Sequence, residues 1–113
     1  MDTKELWKAG NCLIGGFVGV FPLDKIPPVS SLKQGNSFIV NTQTHNLPGE
    51  HWIAVYEDQF TIRVFDPMSL YYRPFLVSYL HNGQRRVVYN RVLVQDPYTP
   101  TCGQHCLLWL SEQ

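Results

Sequence analysis

The segment HWIAVYEDQFTIRVFDP, residues 51–67, decides the centre of the fold. Residues 51–57 and 60–65 are two short runs rich in β-branched and aromatic side chains, which is typical of β-strands. The two residues between the runs predict a turn, so the segment predicts an antiparallel hairpin. A histidine, His51, opens this hairpin, and an aspartate, Asp66, follows its second strand.

Two further segments predict strands that extend the hairpin into a sheet. SFIVN, residues 37–41, is short, apolar and β-branched, and RRVVYNRVLVQ, residues 85–95, is a longer run of the same kind. The segment CLIGGFVGVFPLDKIPP, residues 12–28, is interrupted by glycines and prolines. We therefore expect an irregular segment there, packed against the core.

Helices are predicted at both ends of the chain and once between the strands. Residues 2–9 predict a short helix that Gly10 ends, and RPFLVSYLH, residues 73–81, predicts another. From Cys102 onward, apolar residues recur at the spacing of a helix that is buried on most sides. The order of elements predicts an α+β domain with a mostly antiparallel sheet and the Cys102 helix packed on it.

Length and composition restrict the class of protein. The 113 residues are enough for one domain, residues 1–113, and too few for two. Lys and Arg balance Asp and Glu, giving a formal net charge of +0, which argues against a broad nucleic-acid surface. The three cysteines form no disulfide framework, so we expect a reduced, intracellular setting. No run reaches the roughly 20 apolar residues of a membrane span and no signal peptide is recognisable, so we expect no membrane partner.

The cysteine that opens the C-terminal helix carries the strongest chemical signal. A cysteine at a helix N-terminus meets backbone N–H groups and the positive end of the helix dipole, and both favour the nucleophilic thiolate. Gly103, directly after Cys102, would let a substrate backbone approach. Alone, such a cysteine is more often a core residue.

Three other polar residues complete a catalytic pattern. The predicted turn places Asp66 across the hairpin from His51, so the two side chains can hydrogen-bond as orienting carboxylate and base. Gln95 precedes the Cys102 loop, and its amide can donate to an oxyanion together with the backbone N–H of Cys102. Each residue alone is more often a structural histidine, a turn aspartate or a solvated glutamine. Together they favour a Cys-His-Asp triad with a Gln oxyanion donor.

The motifs EHW, FDP and QDPYTPTCG resemble the signature of the adenovirus-type, or adenain-like, cysteine endopeptidases. These enzymes belong with the SUMO- and ubiquitin-like-specific proteases in a papain-like group of permuted topology. The order in that family is His, then Asp or Glu, then Gln, then Cys-Gly, and the residues named above follow it. NSFIVNT and VGVFPLDKIP also resemble the adenoviral branch, which includes copies carried by virus-like DNA transposons.

The resemblance implies a permuted papain-like fold and a cysteine endopeptidase that processes viral precursors. It implies that Cys102 attacks the peptide carbonyl, and that Trp52 lines a narrow groove for small residues, often glycine; the alternative for Trp52 is a core aromatic. The substrate would be a polypeptide, with no cofactor and no metal. Viral DNA, an activating peptide, and a location in a host nucleus or virion enter by resemblance only. Family members continue past the cysteine helix, so we expect a C-terminally truncated fragment or a minimal domain.

Three alternatives stay open from the sequence. Cys102, His105 and Cys106 are close enough to suggest zinc, although no second Cys/His pair stands at metal spacing, and C-x-x-x-C is unlike a redox dithiol. A catalytically inactive binding domain is the second alternative. A protease of the same fold that acts on ubiquitin-like tails, a deubiquitinase or deSUMOylase, is the third. Cys12 and Cys106 are expected in the core.

Overall fold

The computed structural model describes residues 3–28, 31–41, 51–58, 60–66, 86–89 and 102–113, without the side chains of Leu23 and Cys102. Its helices are α1 (Thr3–Leu13) and α2 (Cys102–Ser111), and a short 3₁₀ turn spans Leu23–Lys25. Its strands are β1 (Phe17–Pro22), β2 (Ser37–Asn41), β3 (Trp52–Glu57), β4 (Thr61–Phe65) and β5 (Arg86–Tyr89). Two helices thus flank a five-stranded sheet in an α+β domain. In the described part, no helix has the length and apolar character needed to cross a membrane.

The five strands lie in the order β1-β2-β3-β4-β5, which is also their order along the chain. The pairs β2–β3 and β3–β4 are antiparallel, whereas the outer pairs β1–β2 and β4–β5 are parallel. The sheet is therefore mixed, and the prediction of a mostly antiparallel sheet is wrong for the two outer strand pairs. Parallel pairing depends on the path of a long connection, which the pattern of a single strand does not reveal.

Strand β1 lies in the segment for which glycines and prolines predict irregular backbone. Its register with β2 shifts between Phe17 and Gly19. Gly19 has a φ of 152°, which L-residues with side chains rarely adopt, and an added Cβ would lie 2.6 Å from the ring of Trp7. This glycine allows β1 to bend beneath α1 without ending the strand, so the same residue that suggests a loop in the sequence sits inside a strand.

Helix α1 continues beyond Gly10, where the sequence predicts its end. Gly10 is buried, and an added Cβ would lie 2.4 Å from the ring of Phe17. The glycine therefore serves the close approach of α1 to β1 and not helix termination. Cys12, which the sequence places in the core, is exposed near the end of α1.

The hairpin at the centre of the sheet is present as predicted, because β3 and β4 pair antiparallel. Strand β2 occupies residues 37–41, and β5 lies inside the predicted strand at 85–95. Helix α2 begins at Cys102 and packs on β3, as its apolar spacing predicts. Leu108 is 59% exposed, so the expectation that this helix is buried on most sides fails at that position. The helix predicted at 73–81 lies outside the described residues.

Apolar side chains are buried on both faces of the sheet. The face beneath the two helices carries a core cluster that includes Leu6 of α1, Ala54 of β3, and Cys106 and Leu110 of α2. The opposite face carries a second cluster of seven buried side chains: Leu32, Phe38, Val40, Ile53, Val55, Ile62 and Val64. Successive residues of β3 alternate between the two clusters, as in a strand buried on both sides. The strand that follows His51 is therefore fixed between two packed layers.

Replacing Gly10 by alanine tests the close approach of α1 to β1. Alanine favours the helix by about 1 kcal/mol over glycine, but its Cβ would overlap the ring of Phe17. We expect the overlap to dominate and to lower the free energy of unfolding by about 1–3 kcal/mol in urea titrations. Gly15→Ala is the matched control, since an added Cβ there meets nothing within 4 Å. Its effect should stay within about 0.5 kcal/mol, and unchanged stability of Gly10→Ala would contradict this packing.

Candidate active site

His51 and Asp66 meet at the open end of the β3–β4 hairpin, opposite its turn. His51 directly precedes β3 and Asp66 directly follows β4, so antiparallel pairing brings both residues to the same end. His51 Nε2 lies 2.6 Å from Asp66 Oδ1, which is a hydrogen-bonding distance. The His51 side chain is 14% exposed and the Asp66 side chain 1% exposed. The predicted hydrogen bond is present, short and largely shielded from water.

The register that produces this contact differs from the predicted one. Ala54 pairs with Phe65, so continuing the ladder places Asp66 opposite Ile53 and not opposite His51. The connection between the strands is longer than the two-residue turn that the sequence predicts, which shifts the register. The two side chains meet diagonally, and diagonal neighbours on an antiparallel pair are within reach of long side chains.

The hydrogen bond assigns different roles to the two ring nitrogens of His51. A carboxylate only accepts, so Nε2–H of His51 donates to Asp66. In the neutral ring, a proton held on Nε2 leaves Nδ1 as the basic nitrogen. The Nδ1 atom is shielded from solvent. The pair is therefore suited to accept a proton at Nδ1, with Asp66 stabilising the imidazolium that forms.

Helix α2 begins toward the open end of the β3–β4 hairpin and runs toward the turn of that hairpin. In the middle of the helix, the Cys106 thiol donates to the carbonyl oxygen of Trp52, 3.4 Å away, at the beginning of β3. Beyond the end of the helix, Gln113 Oε1 accepts a hydrogen bond of 3.2 Å from Arg63, nearer the turn of the hairpin. Because Cys102 precedes Cys106 by about one helical turn, α2 begins toward the open end of the hairpin, the end at which His51 and Asp66 lie.

Two of the four predicted catalytic residues fall outside what the structure describes. Gln95 is outside the described residues, and Cys102 is described only as the first residue of α2, without its side chain. The structure brings His51 and Asp66 together, and α2 begins toward the same end of the hairpin. The positions of the thiol and of the glutamine amide stay predictions.

Trp52 and Gly103, which the sequence assigns to substrate contact, are both buried. Trp52 is 5% exposed and belongs to the core cluster beneath the helices, which supports the alternative of a core aromatic. An added Cβ on Gly103 would lie 3.0 Å from the side chain of Leu6 in α1. The missing side chain of Gly103 therefore serves the packing of α1 against the first turn of α2. Contact of either residue with substrate stays a prediction.

Sequence reasoning misses two buried polar features near the open end of the hairpin. Cys106 lies in the core as expected, with 0% exposure, but its thiol also bonds to the backbone of Trp52. Asn41 is 7% exposed and ends β2, where it pairs with Trp52. A polar residue that ends an otherwise apolar strand is the signal that would have identified Asn41, whereas no sequence signal distinguishes the bonded thiol from an ordinary core cysteine.

A groove of about 210 Å³ lies away from this site. It is lined by residues of β4, of β5, of the C-terminal end of α2 and of the segment just beyond that helix: Arg63, Val64, Val88, Tyr89, Trp109 and Gln113. Burial raises the pKa of the Tyr89 phenol above its ordinary value of 10.0. Because the helix residues of the groove come from the far end of α2, the groove is remote from Cys102 and carries no part of the chemistry considered for the His–Asp pair.

Neither the described candidate metal ligands nor similarity to known proteins assigns a function to this site. Within the ranges that the structure describes, no group of three or more His, Cys, Asp or Glu side chains is placed to hold a metal ion. The zinc alternative involves Cys102, whose side chain lies outside the described part of the chain, and it stays a prediction. Comparisons with protein-family models and with curated proteins find no match for this chain.

A double-mutant cycle of His51→Ala and Asp66→Ala measures the strength of the central contact. We expect a coupling free energy of about 1–3 kcal/mol from urea unfolding of the four proteins, because removing either partner leaves a buried polar group without that bond. The control cycle is Arg63→Ala with Asp58→Ala, an ion pair of 3.1 Å whose side chains are 47% and 32% exposed. That pair should couple by less than about 1 kcal/mol. A His51–Asp66 coupling no larger than the control would contradict a short, shielded bond.

Proposed function

We propose that the chain is a cysteine peptidase in which Cys102 is the nucleophile, His51 the general base and Asp66 the residue that orients the base. The observation that carries the proposal is the 2.6 Å hydrogen bond between His51 and Asp66, both largely buried. Burying a carboxylate is costly unless it is paired, so a paired carboxylate and imidazole in one place are more informative than either residue alone. The direction of α2, which begins at Cys102 near the same end of the hairpin, supports the third member of the triad.

The Cys102 thiol transfers its proton to Nδ1 of His51, and acylation begins from the thiolate–imidazolium pair that results. The thiolate attacks the scissile carbonyl carbon, and the carbonyl electrons move to oxygen in a tetrahedral oxyanion. The Gln95 amide and the backbone N–H of Cys102 donate hydrogen bonds to that oxyanion. The His51 imidazolium, stabilised by Asp66, then gives its proton to the leaving amine as the C–N bond breaks. The product of this half-reaction is a thioester between Cys102 and the N-terminal part of the substrate.

Hydrolysis of the thioester completes the cycle. His51 Nδ1 accepts a proton from water as the water oxygen attacks the thioester carbonyl. Collapse of the second oxyanion breaks the C–S bond and releases a carboxylic acid product and the Cys102 thiolate. The N-terminus of α2 favours that thiolate through its backbone N–H groups and dipole.

The fold family and the substrate class belong to the same proposal. A permuted papain-like arrangement is supported by α2 packing on β3 and by the His and Asp residues flanking adjacent antiparallel strands. By resemblance, the substrate is a polypeptide with a small residue, often glycine, before the scissile bond, as in viral precursor processing. An activating peptide, viral DNA, and a location in a nucleus or virion rest on the resemblance alone.

Replacing the nucleophile tests the proposed function most simply. Wild-type protein should hydrolyse members of a fluorogenic peptide panel that carries Gly-Gly or Gly-X-Gly before the reporter group. Cys102→Ala should reduce turnover to the level of the buffer, because no thiolate is left to form the acyl-enzyme. Cys12→Ala is the matched control, since Cys12 is an exposed cysteine and should leave kcat unchanged. Folding of each variant is checked by circular dichroism.

The same panel separates the alternatives. Folded wild-type protein without turnover on any peptide contradicts the proposal and indicates a binding domain. Activity that a chelator abolishes indicates a metal site. Preference for intact ubiquitin-like tails over short peptides indicates a protease of the same chemistry with a different substrate.

Substitutions of Asp66 test whether it acts by orienting the imidazole. Asp66→Ala removes the acceptor for Nε2–H, and we expect kcat to fall by about 10²-fold with KM nearly unchanged. Asp66→Asn keeps an amide oxygen that can accept the same hydrogen bond, as in sites of the Cys-His-Asn type, so it should retain clearly more activity than Asp66→Ala. Steady-state kinetics on the best peptide of the panel give both values. Equal kcat for wild type and Asp66→Ala would exclude an orienting role.

A further inference from the structure

The buried thiol of Cys106 links helix α2 to the strand that follows His51. Its Sγ lies 3.4 Å from the carbonyl oxygen of Trp52, a distance suited to an S–H···O hydrogen bond. Both residues are buried, with Cys106 at 0% and Trp52 at 5% exposure. A thiol is a weak donor, but a bond shielded from water is not weakened by competition with solvent.

The two ends of this bond stand close along the chain to the proposed catalytic residues. Trp52 directly follows His51 at the start of β3. Cys106 follows Cys102 by four residues, which is a rise of about 6 Å along the helix. The bond therefore joins α2 to β3 close to Cys102 on the helix and close to His51 on the strand.

A second contact restrains the same turn of α2 from another side. Leu6 of α1 is 0% exposed, and an added Cβ on Gly103 would lie 3.0 Å from its Cδ2 atom. The first half of α2 is thus held by α1 at Gly103 and by the beginning of β3 at Cys106. A change in either contact would let the turn that begins with Cys102 move relative to the sheet.

We infer that Cys106 is a positioning residue for the proposed peptidase site, and that its bond to the Trp52 carbonyl fixes the separation of Cys102 from His51. The inference rests on the proposed function. An aliphatic core residue would fill the same space without a directional bond to the carbonyl of β3. In enzymes, misplacing a reacting group by about 1 Å can reduce the rate by about 10²-fold, so a weak bond at this place has a large kinetic consequence.

Three substitutions separate hydrogen bonding from packing at this position. Cys106→Ser keeps a donor on a slightly shorter side chain, Cys106→Ala removes the donor and most of the volume, and Cys106→Val keeps apolar volume without a donor. A positioning bond predicts that kcat is higher in Cys106→Ser than in the other two, which should fall by about 10- to 100-fold with KM within about 2-fold of wild type. Packing alone predicts the reverse order, with valine best and the buried hydroxyl of serine worst.

Two controls distinguish a loss of stability from a displacement of α2 relative to β3. Leu110→Val removes one methylene from a buried residue that lies four positions further along the same helix than Cys106, so it should lower the urea midpoint while leaving kcat near wild type. Cys12→Ala repeats the cysteine-to-alanine change at an exposed site and should alter neither quantity. Every variant is assayed on the best wild-type peptide of the panel, at a temperature where its circular dichroism matches that of wild type.

The outcomes distinguish this inference from the proposed function. If wild type is active and the kcat of Cys106→Ser exceeds that of Cys106→Ala and of Cys106→Val, the result supports a positioning role for Cys106. If wild type is active and the kcat of Cys106→Val equals or exceeds that of Cys106→Ser, the result overturns the inference and leaves the peptidase proposal standing. Wild type without turnover, with folding confirmed, overturns both.

Discussion

The antiparallel pairing of β3 with β4 is the constraint from which the site follows. Two strands joined by a turn bring the residue before the first and the residue after the second to one end, which here are His51 and Asp66. Both faces of β3 are covered by buried apolar clusters, so the start of this strand has little freedom to move. The carboxylate of Asp66 is 1% exposed and needs a partner there, and the imidazole supplies one at 2.6 Å.

Helix α2 adds the second half of the arrangement. Its apolar face packs on β3 beside α1, and the contacts of Cys106 with Trp52 and of Gln113 with Arg63 show the direction in which it crosses the hairpin. A helix that ran the other way would carry Cys102 to the turn of the hairpin, away from the His–Asp pair. The absence of a side chain at Gly103 permits α1 to approach the first turn of α2. Helix α1 thus contributes to the placement of Cys102, although the two are far apart along the chain.

Particular residues show where sequence reasoning succeeds and where it stops. The central hairpin, β2 and α2 follow from local apolar periodicity, which is strong in each of these segments. Gly10 and Gly19 mislead, because they serve close packing between elements, and packing is invisible to a pattern that treats glycine as a breaker. The His51–Asp66 bond is predicted correctly from a slightly wrong register, since diagonal and direct neighbours on a hairpin both come within reach. The bond from Cys106 to Trp52 depends on tertiary contact between helix and strand, which the sequence alone does not encode in any local signal.

The reactivity of the Cys102 thiol tests the account most directly, because the proposed triad holds this sulfur as a thiolate beside the His51 imidazolium. The measurement is the rate of alkylation of each cysteine by iodoacetamide at about pH 6, followed by mass spectrometry in wild type and in His51→Ala. Ordinary thiols are mostly protonated at that pH and react slowly. We expect Cys102 to react about 10-fold or more faster than the exposed Cys12, and to lose that advantage when His51 is replaced. Equal rates at Cys102 and Cys12 in the folded wild-type protein would contradict a thiolate–imidazolium pair and, with it, the proposed peptidase.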